Sequence, residues 1–221
     1  MDVKTGKTLG TAYAELIIRD QENLKSILAN LCFASVQGRR IRFIHSSYDE
    51  LCNDLFSSWA GEFKNGIAIP FSLDTMNEQQ RNSQFFIGQK DLQNLLNVCR
   101  NYKMCYNRKC AERSFEYLIS IIMNIPWKQP KAVTRIQRDI IYECYKLVAE
   151  ALRGHVNRKF HPFEDYLLPR LVRAAILCDG FTVKQKNGIL NNANLSCPKD
   201  LEVYLQEPII LNDVEFKTLI R

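Results

Sequence analysis

The sequence predicts an α+β fold that is mostly α-helical, and three features of it support this prediction. In about the first 45 residues, alternating polar and apolar side chains flank a short helical pattern. An Asn-Gly pair between two apolar runs, Asn65-Gly66, is typical of a β-hairpin. From about Gln84 onward, apolar residues recur at helical spacing. We therefore expect three parts, residues 1–46, 47–83 and 84–221, of which the last is a helical domain.

Residues 1–46 are predicted to form a strand, a helix and a second strand. Residues 11–18 alternate small or polar with apolar side chains and contain Tyr13, which is typical of a strand. Asp20 can cap the helix that follows, in which the apolar residues at helical spacing are Leu24, Ile27, Leu28 and Leu31. Gly38 predicts a turn, and the alternation over residues 39–44 then indicates a half-buried strand.

Residues 47–83 are predicted to contain a helix, a hairpin and a polar connection. Ser47 and Glu50 have the spacing of a capping box, so the helix should begin there and run through Phe56. Asn and Gly both tolerate the positive φ that a tight hairpin turn requires, which places the turn at Asn65-Gly66. Residues 72–83 are polar and show no periodic pattern, and we expect them to form a flexible connection.

Residues 84–221 are predicted to be helical. Thr134 with Gln137, and Thr182 with Gln185, have the capping-box spacing that marks the start of a helix. Gly154 is expected to end the long helix that begins near Thr134. The predicted helices cover residues 89–102, 111–124, 134–153 and 165–178, a short one begins near residue 182, and two weaker pieces cover residues 198–206 and 212–219.

The composition excludes some classes of protein. Hydrophobic residues make up 46% of the chain and charged residues 24%, which is ordinary for a globular protein and argues against a disordered or fibrous one. No apolar run reaches the length of about 18 residues that a membrane span needs. The start of the chain lacks the apolar stretch of a secretory signal, so we expect a cytosolic or nuclear protein. The net charge of +6 is compatible with a polyanionic partner.

The eight cysteines are scattered along the chain, so most should be thiols packed in the core. Cys105 and Cys110 lie at the loose end of the spacing that zinc sites use, and so do His155 and His161. Buried or incidental thiols are the favoured interpretation, and no cofactor is predicted. The sequence leaves open whether Cys99, Cys105 and Cys110 bind a metal.

We expect the protein to be non-catalytic, because the patterns that catalysis uses are missing. The sequence has no glycine-rich phosphate loop and no Gly-x-Ser-x-Gly motif. Two of its three histidines, His155 and His161, flank a basic loop between two predicted helices, with no partner motif nearby. A surface loop explains these histidines better than acid–base chemistry does.

The first 43 residues carry a recognisable pattern. A basic loop, the run LGTAYAEL over residues 9–16, a helix and the run GRRIRF over residues 38–43 follow one another. In the first run Gly10, Ala12 and Tyr13 match the motif K/R-G-F/Y-G/A-F-V-x-F/Y. This order resembles the latter half of an RNA-recognition motif (RRM). The later runs RSFEYLISIIMNIPW and LVRAAILCDGFTVKQK resemble the helical region that follows the last RRM in some fungal multi-RRM RNA-binding proteins.

The resemblance implies binding of single-stranded RNA and a role in post-transcriptional regulation. In that family, outward aromatic rings stack on unpaired bases, which makes Tyr13, with Thr11 beside it, the expected base contact. The expected phosphate contacts are Lys4, Lys7, Arg40 and Arg42. Leu9 and Thr11 depart from the motif, and the first strand, first helix and second strand of an RRM are missing. The chain is therefore expected to be a fragment, or its incomplete sheet is completed by a protein partner or a second copy.

A second basic stretch lies among the predicted helices. Its cations alternate with Tyr102 and Tyr106, an arrangement that single-stranded nucleic acids favour. The cations are Arg100, Lys103, Arg108, Lys109 and Arg113, and Arg108 and Lys109 are the expected RNA contacts. A solvated surface explains the stretch as well, and a further basic group lies at residues 153–159. The leading interpretation is an RNA-binding protein, and the alternative is a protein-interaction or self-association module.

Overall fold

The computed structural model describes residues 2, 7, 9–15, 21–31, 34–36, 38–72, 84–104, 110–129 and 132–206. Within them the α-helices are α1 (Gln21–Leu31), α2 (Tyr48–Leu55), α3 (Gln89–Arg100), α4 (Arg113–Asn124), α5 (Arg135–Val156), α6 (Leu167–Leu177) and α7 (Val183–Ala193). The strands are β1 (Ser35–Val36), β2 (Arg39–Arg40), β3 (Gly61–Lys64) and β4 (Ile67–Pro70), and short 3-10 helices cover Tyr102–Met104 and Lys199–Leu205. The prediction of a mostly helical α+β fold is confirmed.

The amino-terminal part contains the predicted helix but not the predicted sheet. Helix α1 follows Asp20 as expected, yet residues 11–15 form no strand. Among the described residues, strands β1 and β2 pair with each other and with no other strand, across a turn in which Gly38 has φ +78°. Because a strand exists through hydrogen bonds to a neighbouring strand, and no described strand lies beside residues 11–15, this segment stays irregular. The strand predicted over residues 39–44 is likewise only two residues long.

Helix α2 and the β3–β4 hairpin form as predicted, and they hold each other. Ser47 and Glu50 make both hydrogen bonds of the capping box, which starts α2. Asn65 and Gly66 have φ values of 53° and 74°, so both adopt the left-handed conformation that the tight turn needs. The carboxylate of Asp49 on α2 accepts hydrogen bonds from both turn amides, at 2.7 Å and 2.8 Å. Helix α2 therefore holds the turn in place, in addition to the pairing of the two strands.

Side-chain amides cover both outer edges of the hairpin. The Phe63 N–H on the outer edge of β3 donates to Asn53 Oδ1 at 2.9 Å. On β4, the Ala68 N–H donates to Gln129 Oε1 at 2.9 Å, and Gln129 Nε2 donates to the Gly66 carbonyl at 3.3 Å. These amides occupy the backbone groups with which another strand would pair, so the hairpin does not offer an open edge at these positions.

The helical part follows the predicted order with one correction. The helices predicted over residues 89–102, 111–124 and 165–178 form, each slightly shorter than predicted, and α5 begins after the expected cap, Thr134. The prediction that Gly154 ends α5 is wrong, because the helix continues to Val156. A glycine inside a helix costs only about 1 kcal/mol, and burial of Leu152 and His155 on either side of it outweighs that cost. The piece predicted over residues 198–206 is a 3-10 helix, and residues 212–219 lie outside the described part.

A single hydrophobic core joins the hairpin to the helices. Four aromatic rings connect residues 47–72 to the start of the helical part, with Trp59 and Phe86 centred 4.3 Å apart and Phe56 and Phe86 5.3 Å apart; Phe63 is the fourth. The same cluster continues through α3 to α7 and reaches Leu201. The core therefore crosses the boundary predicted at residue 83.

Several cysteines lie in this core, as the sequence predicts. Cys52, Cys99, Cys144 and Cys178 are buried. Burial raises the pKa of the Cys144 thiol to about 12 and that of Cys178 to about 11. These two side chains are thus protonated apolar groups at neutral pH and contribute to packing. None of the described helices is both long enough and apolar enough to cross a lipid bilayer.

Candidate nucleic-acid interface

The structure places Tyr13 beside carboxylates and not on the face of a sheet. Its side chain is 38% exposed, and its hydroxyl donates a hydrogen bond to Asp54 Oδ2 on α2. This hydrogen bond, with smaller contributions from burial and from the charges of Asp54 and Glu50, raises the pKa of Tyr13 to about 12. Negative charge beside the ring disfavours an RNA phosphate there. Thr11 is exposed in the same irregular segment.

The other predicted amino-terminal contacts are not gathered around Tyr13 on one sheet. Arg40 lies on β2, Arg42 follows it, and both are exposed. Lys7 is also exposed, and its backbone carbonyl accepts from the Asp2 N–H at 2.9 Å. Lys4 lies outside the described residues. The described residues therefore contain exposed amino-terminal cations, but not the sheet that the RRM resemblance implies.

The described parts of the two basic stretches in the helical part lie next to each other. The end of α3 and the end of α5 are joined by a hydrogen bond between His155 Nε2 and the Cys99 carbonyl, at 2.8 Å, across 56 positions of sequence. The Tyr102 ring, just beyond α3, contacts the His155 ring edge to face at 5.0 Å. Phe163 stacks on His155 at 5.5 Å and contacts Tyr102 at 5.0 Å. These three rings form a compact floor beneath both basic segments.

The histidine of this floor is neutral at neutral pH. His155 is only 5% exposed, which corrects the expectation of a histidine on a surface loop. Because a carbonyl accepts from Nε2, the proton resides on that nitrogen, and Nδ1 is buried without a hydrogen-bond partner among the described residues. Burial lowers the pKa of His155 below its ordinary value. The hydrogen bond to the Cys99 carbonyl opposes this shift, and the nearby charges of Arg158 and Lys103 add to it. Lys103 and Arg158 thus lie close to the same histidine.

The loop that carries Arg158 also carries an exposed aromatic ring. Phe160, in the loop between α5 and α6, is 82% exposed. The Lys159 ammonium lies 5.7 Å from the centre of its ring, and Arg158 is exposed next to it. We refer to Lys103, Arg158, Lys159 and Phe160 as the cation–aromatic surface. Sequence reasoning noted the basic residues of this loop but missed Phe160, although the run RKFHPF carries the signal of an aromatic between cations.

Part of the predicted site cannot be placed on this surface. Arg108 and Lys109, the expected RNA contacts of the first stretch, lie outside the described residues, as does Cys105. Among the described residues, no group of three or more histidine, cysteine, aspartate or glutamate side chains could hold a metal ion. Of the other two cysteines, Cys110 is exposed and Cys99 is buried. A metal site that includes Cys105 stays untested.

A shallow groove of about 220 Å³ lies between the ends of α4 and α6. Trp127 forms part of its wall and is held by a hydrogen bond from its Nε1 to the Ile122 carbonyl at 2.8 Å. Gly180 packs so closely on the indole that a Cβ at this position would lie 2.1 Å from the nearest ring atom. Lys128 and Asp179 form an ion pair at the rim, at 3.2 Å. The groove thus marks the place where Trp127 locks two helix ends together.

Comparison with known proteins gives one match. The family model described as "Domain of unknown function (DUF8399)" matches residues 83–195. No curated protein and no solved structure matches the chain. The matched residues include α3 to α7 and the whole cation–aromatic surface, whereas Tyr13, Arg40 and Arg42 lie outside the match.

Proposed function

Because the chain belongs to the family described as "Domain of unknown function (DUF8399)", whose description names no activity, we propose a function from its geometry: non-catalytic binding of single-stranded RNA at the cation–aromatic surface. One observation carries the proposal. Two basic segments that are separated by more than fifty positions meet at His155, and the loop that follows His155 carries Phe160, an exposed aromatic ring. Cations together with an accessible ring are the two components that single-strand binding sites combine.

In the proposed complex, the three cations contact phosphates and Phe160 contacts a base. Lys103, Arg158 and Lys159 are exposed, so their charges are accessible to the phosphate backbone of a bound strand. Phe160 offers a ring face on which a base can stack, an interaction worth about 1–3 kcal/mol per base in single-strand binders. In the unbound protein, Lys159 lies over this ring. A stacked base would displace Lys159 toward a neighbouring phosphate.

An unpaired strand fits this surface better than a duplex does. Phe160 projects from a loop, and the π face of a base is accessible to such a ring only when the base is unstacked. An RNA duplex would instead present phosphates and 2′-hydroxyls across its minor groove, which an isolated phenyl ring does not recognise. The proposed ligand is therefore a single-stranded segment. We also propose that the protein is located in the cytosol or the nucleus.

The amino-terminal residues form a secondary part of the proposal. Lys7, Arg40 and Arg42 are exposed cations that can extend contact with a bound strand, and Lys4, Arg108 and Lys109 remain proposed phosphate contacts. Tyr13 and Thr11 are weaker candidates, because the carboxylates of Asp54 and Glu50 lie near the ring. The RRM resemblance on which those two residues rest gains no support from the family match.

The decisive experiment compares Phe160→Ala with the wild type in binding to a random single-stranded RNA pool, measured by fluorescence anisotropy at fixed salt. Loss of one stacked base should weaken binding by about 1–3 kcal/mol, which is roughly 5-fold to 150-fold. Tyr48→Ala removes an exposed ring of similar size on α2 and should leave the affinity unchanged. Tyr13→Ala should also have little effect.

Two results would reject the proposal. The first is an absence of RNA binding by the wild type at low salt. The second is binding by Phe160→Ala that is as tight as binding by the wild type. If Tyr13→Ala alone weakened binding, the amino-terminal segment and not the helical part would be the RNA site. Circular dichroism of each variant establishes that the fold is retained.

A further inference from the structure

The β3–β4 hairpin presents a mixed apolar and charged face to solvent. The strand register places Glu62 opposite Ile69 and Lys64 opposite Ile67, so these four side chains share one face. Phe63 and Ala68 point to the other face and are buried in the core. Ile67 and Ile69 are 55% and 42% exposed, and the side chains of Lys64 and Glu62 are 62% and 39% exposed. Ile67 and Ile69 are two positions apart on the same strand, so they form one small apolar patch on this face.

The edges of the hairpin restrict how this face can be used. Asn53 and Gln129 occupy outward-pointing backbone amides of β3 and β4, and Pro70 has no amide proton to offer. Addition of a further strand to either edge would have to displace these groups. Association through the face itself requires no such rearrangement.

We infer that this face pairs with the same face of a second copy of the chain, in a two-fold symmetric dimer. The two-fold axis of this dimer lies between the hairpins of the two copies, parallel to the plane of each hairpin and perpendicular to its strands, at the level of Phe63 and Ala68. This axis places β3 over the partner's β3 in the antiparallel direction, and β4 over the partner's β4. Glu62 then faces Lys64 of the other copy, and Ile67 faces Ile69 of the other copy.

Charge complementarity is the argument for a second copy as the occupant. In the single chain, Lys64 Nζ lies 2.6 Å from Glu62 Oε1, so the face carries one charge of each sign and no net charge. In the proposed dimer, the two glutamates and two lysines alternate, so that every charge retains an opposite neighbour when it is desolvated. A partner of uniform charge would leave one of these groups unpaired, whereas a second copy does not.

The contact is expected to be weak. Four side chains from each copy bury much less than the 1,200 Å² or so at which stable interfaces begin, and this places the contact among transient interfaces. The apolar centre is two isoleucines from each chain. We therefore expect association that depends on protein concentration and is only partial at micromolar concentrations.

Sedimentation equilibrium of the full chain over a range of concentrations tests the inference. The mass of the wild type should rise toward that of two chains as concentration increases. Glu62→Lys leaves two lysines on the face, and Lys64→Glu leaves two glutamates, so each variant alone should associate at least about tenfold more weakly. An equimolar mixture of the two variants should recover association, because two lysines then face two glutamates.

A matched pair of apolar substitutions completes the design. Ile67→Ser should abolish association, whereas Ile136→Ser, which changes an equally exposed isoleucine on α5, should have no effect. A wild type that stays monomeric at every concentration overturns the inference. So does association that survives Glu62→Lys, or a mixture of the two charge variants that does not recover it. None of these outcomes depends on RNA binding, which Phe160→Ala tests separately.

Discussion

At the scale of single residues, His155 is a neutral group that lies close to two cations, Lys103 and Arg158. The ring is buried, donates from Nε2 to the Cys99 carbonyl and is stacked on Phe163. Desolvation first, and then the charges of Arg158 and Lys103, lower its pKa, so that it is neutral at physiological pH. The histidine therefore adds no third positive charge beneath these two side chains, and they remain available for an anionic ligand.

Gly180 is a second residue whose identity the packing dictates, and Gly180→Ala should destabilise the protein. The added Cβ would overlap the Trp127 ring, and the hydrogen bond from Trp127 Nε1 to Ile122 prevents the ring from moving freely. Overpacking of this kind typically lowers the free energy of unfolding by about 1–3 kcal/mol. Urea unfolding, followed by circular dichroism, measures the change.

Gly154→Ala is the control for that prediction and should change stability in the opposite direction. A Cβ at Gly154 meets no atom within 4 Å, and the residue lies inside α5. Alanine in a helix interior is more stable than glycine by about 0.5–1 kcal/mol. If both variants were destabilised equally, close contact with the indole would not be the reason for glycine at position 180.

At the scale of the secondary-structure elements, local hydrogen bonding determines where three of the described α-helices begin. Ser47 starts α2 and Thr182 starts α7 through complete capping boxes, and Thr134 caps α5 by accepting from the Gln137 N–H. Each cap satisfies amides that the helix itself leaves unpaired. The left-handed Asn65-Gly66 turn has the same local character. Each of these features depends on three or four consecutive residues, and the sequence therefore predicts it.

The loop between α5 and α6 supplies two of the three cations of the proposed interface, and their removal should flatten the salt dependence of RNA affinity. Each phosphate contact to a single strand contributes about −0.7 to the slope of log K against log salt. Substitution of Arg158 and Lys159 by glutamine should therefore make the slope less negative by about 1.4. The measurement is anisotropy at a series of salt concentrations.

A control pair tests whether net charge alone produces that effect. Lys128→Gln with Lys184→Gln removes two exposed lysines that are not part of the cation–aromatic surface. This pair lowers the net charge by the same amount but should leave the slope nearly unchanged. Equal slopes for the two double variants would show that the salt dependence of RNA affinity depends only on the total charge of the protein.

At the scale of the whole molecule, the core makes residues 47–72 part of the helical domain. Phe56, Trp59 and Phe63 pack on Phe86, so these side chains lie in the same cluster as the helices. In contrast, the described residues before Ser47 contribute no side chain to that cluster. The family match begins at residue 83, yet the hydrophobic core begins at Cys52.

Two truncations test this division. Removal of residues 1–46 should leave the free energy of unfolding nearly unchanged, because no described side chain of that segment lies in the core. Removal of residues 1–83 exposes Phe86 and deletes three buried aromatic side chains. The transition should then lose its cooperativity, since burial of one large side chain is worth about 1.5–3 kcal/mol and total stability is about 5–15 kcal/mol. Thermal unfolding of both chains, followed by circular dichroism, distinguishes them. A cooperative transition for the shorter chain would contradict this view.

The sequence by itself determined the mostly helical fold, the order of the main helices, the capped helix starts and the hairpin turn, because backbone dihedral preferences and capping bonds act within a few neighbouring residues. It also identified two basic segments, but not that they adjoin. Only the tertiary structure brought Cys99 to His155, carried α5 past Gly154 and placed Tyr13 against Asp54. Those outcomes depend on which surfaces are buried together across many positions of sequence, and packing energies of several kcal/mol there outweigh local preferences of about 1 kcal/mol.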